Sequence, residues 1–538
     1  VLQSPVVALQ SWLSRKLGAL PPRKIIWGLV LVFSSWILLD VLVLKVTSGQ
    51  SHASFDAMVR TRLHAAAADP RIVVIDIDEA SLQGLAGEFG RWPWPRDTLA
   101  TVLDYVEQQQ PAAVVWDIVF SDADRISPGG DAAFDAAVKR SRHSVFSVVR
   151  LPASADARSA LSRAVLPGLW VIAPEQAGTT TAALIPPALP AVAAAPLGYN
   201  NGYVDEDGVL RRYRAFDTLR DGSRIRSVAM TTLSLVDPPA YARAVAATQG
   251  DALIAWRGNT HAYPRVAFAD VFSQADGGKP LHAVPAFAGK VVLIGSTASS
   301  LHDIHPTPLS AEQAGVNSLA TVIDNALNER RIAELPRWLN ACLAIALCAA
   351  LGLWVQQHKF SKLLPMTFAV PIALLLLSYG TLNGSPWFLD LQLSAGLALV
   401  FLTLLRFWNQ LRRTYWCSVP EPLPADTGTW ALWPLLHDTA WTDVPLDRLI
   451  DLVSEHVPDC RVIAPDLNSL PLHPVRWPEL SRYAALLGPH TSVLRAADLL
   501  SSPLATLQVQ SGKLVPLQQD AGRVEVVANA LTAWAAMH

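Results

Sequence analysis

The sequence predicts a membrane protein in which a large α/β domain is held between one apolar helix before it and three after it, with a small α/β domain following. Three observations predict this. Apolar residues make up 51% of the 538 and charged residues only 16%, a balance unusual for a soluble chain. Four apolar stretches are long enough to cross a bilayer. Between the first and second of them, about 290 residues alternate short β-branched runs with amphipathic stretches, the pattern of a layered α/β fold.

Composition also excludes. Lys and Arg number 43 against 45 Asp and Glu, a net charge of −2, so there is no bulk basic field to hold nucleic acid. Four cysteines without a CxxC pair encode neither a disulfide framework nor a thiolate zinc site. No metal site and no cofactor are expected.

Residues 1–24 form a basic N-terminal segment with Arg15, Lys16, Arg23 and Lys24. The run IIWGLVLVFSSWILLDVLVL, Ile25 to Leu44, is about 20 residues, or about 30 Å of helix. It exceeds the core of a cleaved signal peptide and is read as an uncleaved anchor, residues 25–45. Asp40 sits late in it, where a carboxylate reaches headgroups or pairs with a donor such as Lys45. Three further candidates, Trp338 to Val355, Leu363 to Leu382 and Leu393 to Trp408, fill 337–410 and are joined by short loops. The middle one carries Pro365 and Pro371, which tilt or kink a helix. Lys359 and Lys362 follow the second stretch, and Arg406, Arg412 and Arg413 lie at the exit from the fourth. The turn NGSPWFLDLQ has no basic residue. Positive flanks stay on the cytoplasmic side, so residues 46–336 are expected outside and both ends of the chain inside.

Within 46–336, IVVIDI ends in Asp76 and Asp78, with Ser81 close behind, and reads as a buried strand delivering polar groups at its C-terminal edge. GRWPWPRDTLATVLDYVEQQQ sets prolines between Trp92 and Trp94, more a hydrophobic plug than an aromatic cage, and then an amphipathic helix from about Asp97 to Gln109. AVVWDIVF, carrying Asp117, reads as a second strand, parallel to the first across the helix. The run DEDG at 205–208 lacks a calcium loop's spacing and reads as a turn before a strand VLRRYRAF. AGKVVLIGST has its Lys in the wrong place for a phosphate loop and reads as an internal strand. Residues 151–197 carry no assignable pattern.

The ordered set IVVIDIDEASL, WPWPR, PAAVVWDIVFSD, GYVDEDGVLRRY, AGKVVLIGSTA with Asp303 and Thr307-Pro308, and Gly315 before a helix, followed by three closely spaced apolar helices, resembles the type-two CHASE (CHASE2) extracellular sensory domain associated with cyclases and histidine kinases. One departure is visible: where the family tends to show Gly-Val-Glu-Ile-His-Ala, this chain reads GVNSLAT at 315–321. The resemblance implies a bacterial inner-membrane protein with a periplasmic sensory domain and a cytoplasmic output.

The candidate ligand-binding residues are Asp76, Asp78, Ser81, Arg96 and Asp117. Each has a structural alternative. Asp76 and Asp78 alternate along a strand and could hold a cation or basic ligand, or cap the next helix or turn. Arg96 could anchor a carboxylate or bridge buried Asp side chains. No GxSxG, HExxH or paired-carboxylate pattern accompanies them.

After a Pro-rich linker, 411–430, residues 431–538 hold a helical pattern at 445–457, short apolar runs at 461–467 and 492–500, a hairpin turning at Ser511-Gly512 and a closing helix at 524–537. This segment lacks kinase and cyclase marks and reads as a non-catalytic docking module. Trp430, Trp433 and Trp441 are read as its core, with a partner-facing patch as the alternative. The partners expected are the lipid bilayer, a cytoplasmic or membrane protein, and a small-molecule or protein ligand outside; a homo-oligomer is compatible with such helices. The alternative function is a structural or assembly subunit of an envelope complex.

Overall fold

The computed structural model describes residues 5–46, 48–127, 129–171, 180–247, 250–258, 261–358, 363–417, 430–437, 443–463, 483–501, 509–511 and 515–517. The chain divides into two units. One comprises Val1–Val46, Arg337–Leu376 and Leu391–His538; the other comprises Thr47–Pro336 and Leu377–Asp390.

The second unit is built on a seven-stranded sheet. Its strands are β1 (Ile72–Ile77), β2 (Ala113–Trp116), β3 (Ser144–Arg150), β4 (Leu184–Ile185), β5 (Leu197–Tyr199), β6 (Arg265–Ala267) and β7 (Val291–Ser296). Across the sheet the order is β6-β1-β7-β2-β3, all parallel, and β3 then pairs with β5 in parallel and with β4 antiparallel. The continuous apolar runs arise because both faces are covered. On one face Val73, Ile75, Trp116, Phe146 and Ile294 pack beneath helices Glu79–Phe89, Arg96–Gln108, Gly130–Arg140 and Phe268–Ala275. On the other, Ile72, Val74, Val115, Val145 and Leu293 meet helices Ser48–Arg60, Val228–Val236, Pro238–Ala246 and Gly315–Leu327.

Three sequence readings change. β1 and β2 are parallel, but β7, the last of this sheet's strands in chain order, lies between them. The second strand stops at Trp116, leaving Asp117 beyond its end. VLRRYRAF is not one strand; it supplies Arg212–Tyr213 and begins Phe216–Thr218, which join different small sheets. The unassigned stretch 151–197 contributes β4, the start of β5 and the short strand Trp170–Val171, which pairs with Arg224–Arg226 in a separate three-stranded sheet.

Among the described residues four helices are long and apolar enough to cross a membrane: Pro22–Leu44, Arg337–Gln357, Leu363–Gly384 and Gln392–Trp416. In the first unit Ile26, Val30 and Phe33 pack with Leu351, Val355, Phe401, Leu402 and Leu405. The opposite faces leave large apolar side chains uncovered, Leu42 at 74% and Leu376 at 64% exposure, a surface suited to hydrocarbon. Asp40 is buried, and its Oδ1 accepts the Val46 N–H at 2.9 Å. Pro371 lies inside its helix.

The last apolar helix continues through Trp416, into the stretch read as linker. The C-terminal domain is a five-stranded antiparallel sheet ordered Arg461–Ile463, Tyr483–Pro489, Trp430–His437, then Val509–Ser511 and Val515–Leu517, with helices Asp443–His456 and His490–Ser501. Trp433, Leu449, Val453, Leu486 and Val493 form its core, and Trp430 is buried too. The expected hairpin at Ser511-Gly512 is not formed. Both short strands pair with Trp430–His437 instead of with each other, Leu435 opposite Ser511 and Leu432 opposite Val515. Both run in the same direction along that strand, so no hairpin joins them; residues 512–514 lie outside the described residues. Trp441 and the closing helix at 524–537 lie outside the described residues.

Candidate functional site

The C-terminal ends of β1, β7 and β2 lie side by side, the edge at which parallel α/β sheets present polar groups. Asp76, in β1, is opposite Gly295 of β7. It points to the face covered by Gly315–Leu327 and is almost fully buried. Its carboxylate accepts from the Thr297 N–H at 3.0 Å and from Thr297 Oγ1 at 2.8 Å, and Arg265 Nη1 lies 3.2 Å away. Arg265 Nη2 also donates to Asn317 Oδ1 at 3.2 Å. Asn317, in the GVNSLAT run, thus meets the guanidinium with a neutral side chain. Burial raises the Asp76 pKa, against the Thr297 hydrogen bonds and Arg265.

Asp78 does not share this site. It lies beyond the strand and caps helix Glu79–Phe89, its Oδ1 accepting the Ser81 N–H at 2.7 Å. A residue just past a strand is no longer held to the strand's alternation, so the common face inferred from spacing is lost. Ser81 is buried, and its Oγ accepts the Ala269 N–H at 3.2 Å, tying two helices together. Arg96 opens the following helix. Nη1 donates to Asp131 Oδ1 at 2.5 Å, Nη2 donates to the Asp122 carbonyl, its own N–H reaches Asp124 Oδ2 at 2.8 Å, and the guanidinium lies over the Phe120 ring. It is a bridge among aspartates, and the arginine beside Asp76 is Arg265.

Asp117 is the most perturbed group at this edge. Asn200 Nδ2 donates to its Oδ1 at 2.5 Å, whereas Oδ2 is closed to solvent and has no partner among the described residues. Burial, and then the charge of Asp303, push its pKa up to about 7, against the Asn200 hydrogen bond and His305. Asp303 itself pairs with His305 at 3.5 Å and raises the His305 pKa. Crowding keeps this corner tight. A Cβ on Gly295 would lie 2.8 Å from Val316 Cγ2 and 2.9 Å from Asp117 Cβ, and one on Gly315 would lie 2.3 Å from Asp303 Oδ2. A larger residue at either position would have to displace these side chains.

Spacing alone misses Arg265, Thr297, Asn200 and His305, which reach the site from distant parts of the chain. Thr297 and Asp303 do lie inside the motifs that carry the family resemblance.

Chemically, the edge offers a buried, neutralised carboxylate at Asp76 and one carboxylate, Asp117, poised to exchange a proton near neutrality. Neither has a nucleophile or metal ligands arranged around it among the described residues. Elsewhere, His52, Asp205 and Asp207 bring potential metal-ligand atoms within 4.8 Å of one another. Arg211 Nη1 donates to Asp205 at 3.0 Å and to Asp207 at 2.8 Å, and Arg212 Nη1 donates to Asp205 at 2.6 Å. Two guanidiniums already supply the positive charge a cation would bring.

A family model described as the CHASE2 domain matches residues 29–354. No curated protein and no solved structure matches the chain. With more than half its length covered by that match, and the quoted motifs lying on β1, β2, β7 and the residues that follow them, the chain belongs to the CHASE2 family, a sensory domain of signalling receptors.

Proposed function

We propose that this protein is a bacterial inner-membrane sensor whose α/β domain lies in the periplasm, with the N-terminal segment and C-terminal domain in the cytoplasm. The C-terminal domain passes the signal to a protein partner by docking, without chemistry of its own. The observation that carries this reading is the continuity of helix Gln392–Trp416 into a charged lock on helix Asp443–His456. Arg412, 1% exposed, donates through Nη2 to Asp451 Oδ1 at 2.7 Å and to Ser454 Oγ at 3.1 Å; Arg413 Nε donates to Asp447 Oδ1 at 2.7 Å. Withdrawn charges break pairing only at high cost, so a shift of this apolar helix carries the neighbouring helix with it.

The orientation is supported by the basic flanks at Arg23, Lys24, Lys359, Lys362, Arg406 and Arg413. The test replaces the four native cysteines by serine and introduces Leu281→Cys or Glu455→Cys, both at exposed positions. In intact spheroplasts an impermeant maleimide is expected to label the first and spare the second. Labelling of the second without permeabilisation would overturn the topology and the relay with it.

A further inference from the structure

A second feature of the α/β domain lies away from the sheet edge. Between helices Val228–Val236, Pro238–Ala246 and Gly315–Leu327 there is a cavity of about 250 Å³. Its walls are apolar, with Phe216, Met230, Leu233, Ile254, Val322 and Ala326 among them. At the mouth stand Arg243, Arg330 and Arg331 against one acid, Glu329. Glu329 is taken up by Arg243 at 2.5 Å, leaving the rim with an excess of positive charge.

We propose that this cavity is the domain's ligand site and that its ligand is a small carboxylic acid with an apolar body. Each part of that description answers a feature of the cavity. The apolar walls call for a hydrocarbon or aromatic body. Arg330 and Arg331 call for a carboxylate at the mouth. The volume lies just below the roughly 300–1,000 Å³ of drug-sized sites, so the ligand is small.

The cavity's surroundings give occupancy a route outward. Strand Ala252–Leu253, in its wall, pairs with Arg212–Tyr213 and bridges to Ile332, whose N–H and carbonyl both bond Leu253. The next residues, Ala333 and Glu334, pair in parallel with Trp387 and Phe388, and Arg212 grips Glu334 through two hydrogen bonds of 3.0 and 2.9 Å. The segment entering helix Arg337–His358 is thus clamped between the cavity wall and the turn after Leu363–Gly384. A ligand that stiffens the wall stiffens this segment. The inference deepens the sensory reading and rests on it for the meaning of occupancy, though not for binding itself.

The test uses the full chain in detergent micelles with para-hydroxybenzoate and leucic acid as probes, and para-cresol as the uncharged control. Calorimetry is expected to show saturable binding of at least one acid with a Kd of about 1 mM or tighter, and at least tenfold weaker binding of para-cresol. Arg330→Gln with Arg331→Gln, both at exposed positions, is expected to weaken the acid about tenfold while leaving the unfolding transition in place. Ala326→Phe, which fills the cavity, is expected to abolish binding. The proposal is overturned if neither acid binds up to roughly 10 mM, where a Kd of about 1 mM would be well saturated, or if Ala326→Phe binds like the parent. Binding without any change in amide exchange over residues 330–336 would instead leave the site standing and remove the relay.

Discussion

Arg257 and Asp324 meet in the interior of the α/β domain, Nε donating to Oδ2 at 2.8 Å, with side chains 2% and 0% exposed. The same carboxylate accepts from the Tyr263 hydroxyl at 2.9 Å, the Asp69 N–H at 3.0 Å and Asn328 Nδ2 at 2.9 Å. Asp324 belongs to helix Gly315–Leu327, so this network pins one side of the helix whose Val322 and Ala326 line the cavity.

Asp324→Ala is therefore expected to cost about 3–5 kcal/mol, because it leaves the guanidinium buried without its counter-charge. Denaturant unfolding of the purified protein, followed by tryptophan fluorescence, reads this directly. A loss below about 1 kcal/mol would show that water reaches Arg257.

Acid should weaken the same network. Burial raises the Asp324 pKa, but the Arg257 hydrogen bond and charge outweigh it, and the folded value lies below the ordinary 3.8. A depressed carboxylate contributes stability that is present above its unfolded pKa and lost as pH falls through the folded one. Melting temperature is expected to fall below about pH 4 in the parent, and Asp324→Asn should flatten that decline.

Asp117 has the opposite sign. Its pKa rises from 3.8 to about 7, so between those values the unfolded chain releases a proton that the folded chain keeps. Stability falls across this window and levels off above it. Asp117→Asn retains an acceptor for Asn200 and removes the titration. At pH 8 it is expected to be more stable than the parent by roughly 2–4 kcal/mol, and about equal to it near pH 4. A parallel pair of pH profiles would count against a neutral Asp117.

Breaking the charged lock should free the C-terminal domain without unfolding the sheet β1–β7. Asp447→Ala with Asp451→Ala removes the partners of Arg413 and Arg412. Amide exchange in helix Asp443–His456 is expected to accelerate roughly 100-fold, as a local loss of about 3 kcal/mol requires. Exchange in the α/β domain should be unchanged.

Gly295→Ala tests the crowding beside Asp117. The added methyl would press on Val316 and on the Asp117 side chain, and overpacking of this kind costs about 1–3 kcal/mol. Thermal unfolding at pH 6 measures it.

By itself the sequence determined the elements whose cause is local. The apolar helices follow from uninterrupted hydrocarbon runs, IVVIDI and VVLIGS from β-branched residues buried on both faces, and helix Arg96–Gln108 from its period. The motifs that carry the family were likewise contiguous. Which strands are neighbours was decided only by the tertiary structure, since equally apolar strands offer similar local signals and β7 enters between β1 and β2 from far along the chain. The same reason governs the site. Arg96 was the arginine close in sequence, yet Arg265 meets Asp76, because an ion pair depends on where the backbone carries two charges and not on how many residues separate them. The cavity beside Ala326 is further still from sequence view: its walls come from three helices and from strands distant in sequence, and an empty space has no residues of its own to announce it.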